Sequence, residues 1–402
     1  MNSRPAIQTA ALLALLAKLA CAALTRGTND ADAFYNFGRF IWEHGLLAQY
    51  RATPEFNHPP LTGWYCALIF GLGHGCGFTF LLRLPGILAD FAVVQALLRW
   101  REASGRPSAG ALLLLALSPV SLMVSGFHGN VDGVLAWLLV LAALECGAGR
   151  AAWCGLWFGL ACNVKIIPLL VAPVFFFHWL SRENARRFFL AASLTILAGW
   201  SLPLVSIPAI FLRNVLGYSS NWGGWGITYW LSQTHAAVFA PSGFSGLTAT
   251  QLAIMSGLKM VIVAAALALA WQRRVLAPAH LFSTLTLVWT VFFVFAPGVG
   301  AQYLVWFAPF LSIHSARWFA AITAASTGFL FVFYDTICGG LPWFHGASTA
   351  ELLPRWAGWS NLPWLALGAF LAVSLCRAVA ARSYSSPSSA SSSASSSIGG
   401  RS

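Results

Sequence analysis

The chain has 402 residues, 58% of them hydrophobic and only 8% charged, with a net charge of +12 and a mean hydropathy of +0.72. A soluble globular protein carries about a quarter of its residues as charges, so that class is excluded and a bilayer is the solvent. The apolar runs are long and continuous rather than alternating, which excludes a porin-type barrel. The arginines stand in short loops between those runs, as membrane-orientation signals do, and do not indicate nucleic acid.

The first apolar run, 6–24, follows Arg4. It is long enough to span and many more runs follow, so it reads as an uncleaved anchor rather than a signal peptide. Further runs lie at about 61–73, 78–98, 108–124, 132–146, 151–180, 188–205, 251–271, 279–296, 303–315, 318–337 and 363–380. They predict an all-α polytopic membrane protein of about 10–12 transmembrane helices. The catalytic domain is expected over 1–382, with a large first extracytoplasmic loop over 25–77. The Ser-rich segment 383–402 is expected to be a disordered cytoplasmic tail.

The basic loops are those around Arg99, Arg150, Arg182, Arg273, Arg317 and Arg377. All fall on the cytoplasmic side under two conditions. Run 61–73 must stay in the outer interface, being shorter than the roughly 20 residues a span needs. Run 151–180, interrupted by Asn163, Lys165 and Pro168, must dip in and return as a broken hairpin; one tilted span is the rival reading. The glycine- and tryptophan-rich stretch Asn221–Leu231 suits an interfacial surface. The eight cysteines have no metal-ligand spacing and read as small core residues.

Polar density concentrates in Asn29–Leu61, which holds Asp30, Asp32, Glu43 and Glu55, four of the eleven acidic residues. Asp30 and Asp32 could serve as general base or ligate a divalent cation (Mg or Mn) as a D-x-D pair. Asp32 could equally cap a helix with Phe34, Phe37 and Ile41 on one face. Asp30 has no such structural task and is the stronger candidate for the base. His58 lies in a rigid turn before Pro59-Pro60 and could face a phosphate or a sugar. Arg83 and Asp90 stand two helical turns apart in a span; Asp90 reads as structural, and Arg83 as a head-group contact or a snorkelling side chain. His128 and Asp132 sit in the outer turn Ser125–Asp132, where Asp132 could also cap the next helix. Lys165, at a hairpin tip beside a half-helix N-terminus, suits a lipid phosphate. Gln302 and Tyr303 could line the same outer cavity or anchor the interface.

These pieces, in this order, resemble the GT-C superfamily of multi-spanning glycosyltransferases. The carriers are D-A-D at Asp30–Asp32, Y-R-A-T followed by N-H-P-P-L, R-L-P-G-I-L-A-D at Arg83–Asp90, S-P-V-S-L-M-V-S-G-F-H-G-N-V-D at Ser118–Asp132, and V-K-I-I-P at Val164–Pro168. The resemblance extends over Asn29–Phe177 and again at A-Q-Y-L-V-W-F-A-P-F, Ala301–Phe310. It is closest to the first GPI-anchor mannosyltransferase and to bacterial polyprenyl-phosphate mannosyl- and hexosyltransferases. It implies an inverting enzyme with a polyprenyl-phosphate sugar donor, mannose first among the hexoses, and a lipid- or glycan-linked acceptor. It also implies catalysis on the non-cytoplasmic face by an acid of the first outer loop, carried here to Asp30 or Asp32. A bacterial inner membrane is the expected location, with the endoplasmic reticulum as alternative. The other class considered is a transporter or flippase of lipid-linked sugars. It predicts midplane charges and inverted repeats, whereas the acids crowd one loop and no repeat is visible.

Overall fold

The computed structural model describes residues 3–217, 223–235, 247–275 and 280–384. Asn221 and Trp222, and the Ser-rich tail from 385 onward, lie outside the described residues. Apart from one short strand pair, the described chain is helical, an all-α polytopic membrane protein. Seven described helices are long and apolar enough to cross a membrane, and Pro60–Leu72, Ala151–Val164 and Leu281–Phe295 are shorter apolar helices. In such a chain the backbone must satisfy itself internally, which is why helices dominate.

The order begins with α1 (Arg4–Leu24), β1 (Gly27–Thr28), α2 (Asn29–His44), α3 (Leu46–Ala52), α4 (Pro60–Leu72) and α5 (Cys76–Ser104). Then come α6 (Ala109–Ala116), α7 (Pro119–Ser121) and a π-helical segment, Leu122–His128, which together make one span. They are followed by α8 (Asp132–Gly147), α9 (Ala151–Val164), α10 (Ala172–Leu180), α11 (Ala185–Ser206), α12 (Pro208–Leu216) and α13 (Gly226–Thr234). The last helices are α14 (Ala249–Gln272), α15 (Leu281–Phe295), α16 (Ala308–His314), α17 (Ala316–Cys338), α18 (Leu353–Trp356) and α19 (Asn361–Tyr384), with β2 (His345–Gly346) between α17 and α18.

Run 151–180 is two helices folded back on each other. The ring of Phe158 in α9 lies 5.4 Å from that of Phe175 in α10, and the Trp179 indole reaches the Cys154 thiol at 3.5 Å. Only an antiparallel pair brings the start of α9 to the end of α10. The turn between them begins at Lys165 and carries Pro168, which cannot continue a helix ladder.

The segment between α1 and α5 is clamped on two sides. Tyr50 and Phe56 join Trp200, Ile207 and Phe211 in a satellite core, and the Asn214 amide donates to the Tyr50 carbonyl at 2.9 Å. On the other side β1 pairs in parallel with β2, Gly27 opposite His345 and Thr28 opposite Gly346. Trp225, read as interfacial, is instead buried, its indole donating to the Phe293 carbonyl at 2.8 Å.

Two opposite charges deep in the spans partner each other. Asp90 does not pair with Arg83. It meets Lys18 of α1 at 2.7 Å, and Ser121 completes a buried triad. A charged pair in this setting fixes helix register, since either group alone would be costly.

Candidate functional site

The site forms where the N-terminus of α2 meets the turn from the π-helical segment into α8. A π-segment re-aims side chains relative to a regular helix, and this one ends on His128. The turn is closed by Gly129 at φ +91°, where a Cβ would sit 2.9 Å from that of Ala31. Gly27, at φ +90°, is as tight: a Cβ there would stand 2.8 Å from the Phe127 carbonyl oxygen. These two glycines let the start of α2 rest directly on the His128–Asn130 backbone. The Thr28 hydroxyl fastens it there, donating to the His128 carbonyl at 2.8 Å.

Helix α2 starts at Asn29, earlier than the sequence suggests, so Asp32 is not its cap. Both aspartates lie in its first turn, where the helix dipole favours carboxylates. Two residues apart on a helix means about 200° around it, so they face different partners. Asp32 binds Arg26 at 2.8 Å and His345 at 2.8 Å, tying α2 to the β2 loop. Asp30 turns to the site. Its Oδ2 receives His128 Nε2 at 3.0 Å, Asn130 Nδ2 at 3.0 Å and Gln302 Nε2 at 3.3 Å. Its Oδ1 takes no hydrogen bond among the described residues. Burial works against the charge of Asp30, but the His128 contact, the nearby Lys165 and the Asn130 amide outweigh it and hold the carboxyl at about 2.

A second carboxylate stands behind the first. Asp132, fully buried at the first turn of α8, receives Lys165 Nζ at 2.8 Å and the Trp306 indole at 2.5 Å on Oδ1; its Oδ2 is buried without a partner among the described residues. Lys165 reaches it from the hairpin tip and lies over the Tyr303 and Trp306 rings at 5.2 and 5.5 Å. Those rings are stacked at 4.0 Å. The cation is therefore boxed by a carboxylate and two π faces, an arrangement that holds a charge away from water.

His58 borders this group, its ring 4.9 Å from that of Phe34. Burial first, then the Lys165 charge, hold it down at about 3, with Asp30 pulling the other way. It is thus a neutral imidazole, and its buried Nδ1 has no hydrogen-bond partner among the described residues. Arg83 is placed differently. Its guanidinium makes seven hydrogen bonds, all to protein oxygens, among them the carbonyls of Ala22, Thr25, Gly126 and Phe127. It pins the end of α1 to the turn that carries His128.

Six of the residues singled out in the sequence thus converge: Asp30, His128, Asp132, Lys165, Gln302 and Tyr303. His58 lies at their edge, Asp32 faces away and Arg83 sits beneath. Asn130 and Trp306 belong to motifs already noted, without a role given them there. Tyr334, whose hydroxyl meets His128 Nδ1 at 3.0 Å, had no sequence signal beyond being a polar-tipped aromatic in a span. The divalent cation that a D-x-D pair suggests would need both carboxylates on one ion. Asp30 and Asp32 do not share such a face, and no group of three or more His, Cys, Asp or Glu gathers among the described residues.

Residues 77–217, about a third of the chain, match the family model described as the ALG6, ALG8 glycosyltransferase family. That segment contains Arg83, His128, Asp132 and Lys165, and it ends well before Gln302. The match supports a multi-pass membrane glycosyltransferase of the GT-C type.

Proposed function

We propose that the protein transfers a hexose, mannose being the first candidate, from a polyprenyl-phosphate donor to a lipid- or glycan-linked acceptor, with inversion, on the non-cytoplasmic face. The observation that carries this reading is the asymmetry of Asp30: three donors converge on Oδ2 while Oδ1 is left open. Its side chain is 35% exposed, whereas that of Asp132 is 0% exposed, so Asp30 is the carboxylate a substrate can reach.

Asp30 Oδ1 takes the proton of the acceptor hydroxyl as that oxygen bonds the anomeric carbon. The bond from the anomeric carbon to the phosphate oxygen breaks, and its electron pair leaves with the polyprenyl phosphate. That leaving group is already good, so the protein chiefly positions the reactants and screens charge. A carboxylate held at about 2 is a weak base, which suits a late proton transfer, once the bonded hydroxyl has become strongly acidic. Lys165 supplies positive charge near the departing phosphate, and the free Nδ1 of His58 offers a neutral hydrogen bond. Arg83 positions the His128 turn. A divalent cation would be held with the donor phosphate rather than by Asp30 and Asp32 together.

The test is transfer by purified protein in detergent, offered polyprenyl-phosphate mannose, glucose or arabinose, with product read by mass spectrometry. Hexosyl product from the wild type and none from Asp30→Asn supports the assignment. No transfer from any donor, or equal transfer by both proteins, refutes it.

A further inference from the structure

At the opposite end of the bundle from Asp30, the last turns of α10 and α14 meet the first turn of α15 around a cleft. Helix α15 then leads away over 15 residues, about 22 Å, toward the loop that carries Gln302. The polar lining of the cleft is His178, Arg273, Arg274, His280 and Thr284, with no carboxylate among its lining residues. Neither arginine lies within ion-pair distance of a carboxylate among the described residues.

The arginines are nevertheless held in place. Arg273 donates from Nε to the Thr284 hydroxyl at 2.9 Å and from Nη2 to Ser283 at 3.2 Å, and its Nη1 makes no hydrogen bond among the described residues. Arg274 lies 3.6 Å over the Trp271 ring. His178 is only 4% exposed, and its imidazole makes no hydrogen bond among the described residues although it lines the cleft. Arg182 stands close by, its Nε donating to the His178 carbonyl at 3.1 Å. Half-buried, pre-oriented donors without a counter-charge are unfavourable unless an anion completes them.

The geometry points to a phosphate-binding site between α10, α14 and α15 whose ligand is the headgroup phosphate of an anionic phospholipid. Basic pockets between spans at a membrane surface take such headgroups. The neighbouring surface suits acyl chains: only 17% of the apolar window of α14 is buried, and Trp271 stands half-exposed at its end. A soluble phosphate offers the same chemistry without chains.

The experiment uses the full chain in nanodiscs of phosphatidylcholine, with or without a minority of phosphatidylglycerol, and counts retained lipids by native mass spectrometry. The wild type is expected to retain phosphatidylglycerol, and Arg273→Gln and Arg274→Gln each to hold it about fivefold more weakly. Arg186→Gln removes an exposed arginine that does not line the cleft and is expected to change nothing. Should Arg273→Gln fold poorly, His280→Gln on the exposed rim carries the same comparison. Equal retention by wild type and cleft variants, or an equal loss in Arg186→Gln, overturns the site. Protection of the wild type by inorganic phosphate in phosphatidylcholine alone, without phosphatidylglycerol retention, overturns the lipid and assigns the site to a soluble anion.

Discussion

Asp30 and His128, 98 residues apart, meet at 3.0 Å through a single carboxylate oxygen, and the far nitrogen of the same imidazole meets the Tyr334 hydroxyl at 3.0 Å. The histidine is thereby held between a phenol and a carboxylate. With the phenol donating to Nδ1, Nε2 carries the proton and donates to Asp30. The aspartate is fixed by one oxygen and presents the other.

Replacing Asp30 by Asn is expected to reduce turnover by a factor of about 100 or more, with little change in thermal stability. Asp32→Asn should be milder for turnover and should instead loosen the loop bearing His345, since it removes an exposed ion pair worth about 0.2–1 kcal/mol. Turnover of each variant and its melting temperature in detergent separate the two roles. Loss of activity in both, together with inactivation of the wild type by a chelator, would show that they act on one metal.

The pH profile has a defined sign. The folded state lowers the Asp30 pKa to about 2, so its contribution to stability is present above the ordinary carboxylate value near 4 and fades only as pH falls toward 2. As a base it stays ionised over that range, and kcat/KM should show no acid limb from Asp30 between about pH 4 and 7. His128→Phe leaves burial to prevail and should bring a limb up into that window. A wild-type limb there that His128→Phe does not move would assign the titration elsewhere.

Lys165→Met strands Asp132 as an unpaired buried carboxylate. A loss of stability of about 3–5 kcal/mol is expected, and the double variant with Asp132→Asn should recover part of it. Thermal unfolding of the three proteins measures this. Comparing donor KM for the double variant and the wild type then isolates the contribution of the cation to phosphate binding.

Tyr334→Phe removes the hydroxyl and keeps the ring. Asp30 still holds the proton on Nε2, but the imidazole loses its second anchor at Nδ1, and turnover should fall by about tenfold while KM for the acceptor stays constant. Recovery of the wild-type rate in Tyr334→Phe would reduce the tyrosine to a packing role.

Sidedness is checked by cysteines introduced into intact cells. Ser104→Cys and Asn184→Cys are expected to be shielded from an impermeant thiol reagent, whereas Thr53→Cys and Ser348→Cys should react. Labelling at 104 would invert the orientation and place Asp30 on the cytoplasmic face.

Much of the site was legible because polar residues in a greasy chain must find partners. Asp30, His128, Asp132 and Lys165 are conspicuous for that reason, and the break at Lys165–Pro168 announced the hairpin. What stayed hidden was pairing at long range. Lys18 sits inside an apparently featureless anchor, so Asp90 reads as structural without its partner being named. Trp306 and Tyr334 look like ordinary interface or core aromatics until their polar tips are seen to land on Asp132 and His128. The early start of α2 was hidden because its first turn is fixed by β1 and by the His128 backbone, not by a capping side chain.

The pairing of Gly27 with His345 and the reach of Trp306 to Asp132 have a bearing on how the protein is made. A chain emerging from the ribosome completes the α1–α5 segment, α8 and the hairpin long before residues 302–346 exist. Until then Asp132 has Lys165 but not the indole, Asp30 lacks Gln302, and Asp32 lacks His345. The candidate site is therefore closed by the last third of the chain, so a polypeptide stopped short of residue 302 would have its early helices in place and Asp30 and Asp132 without their late partners.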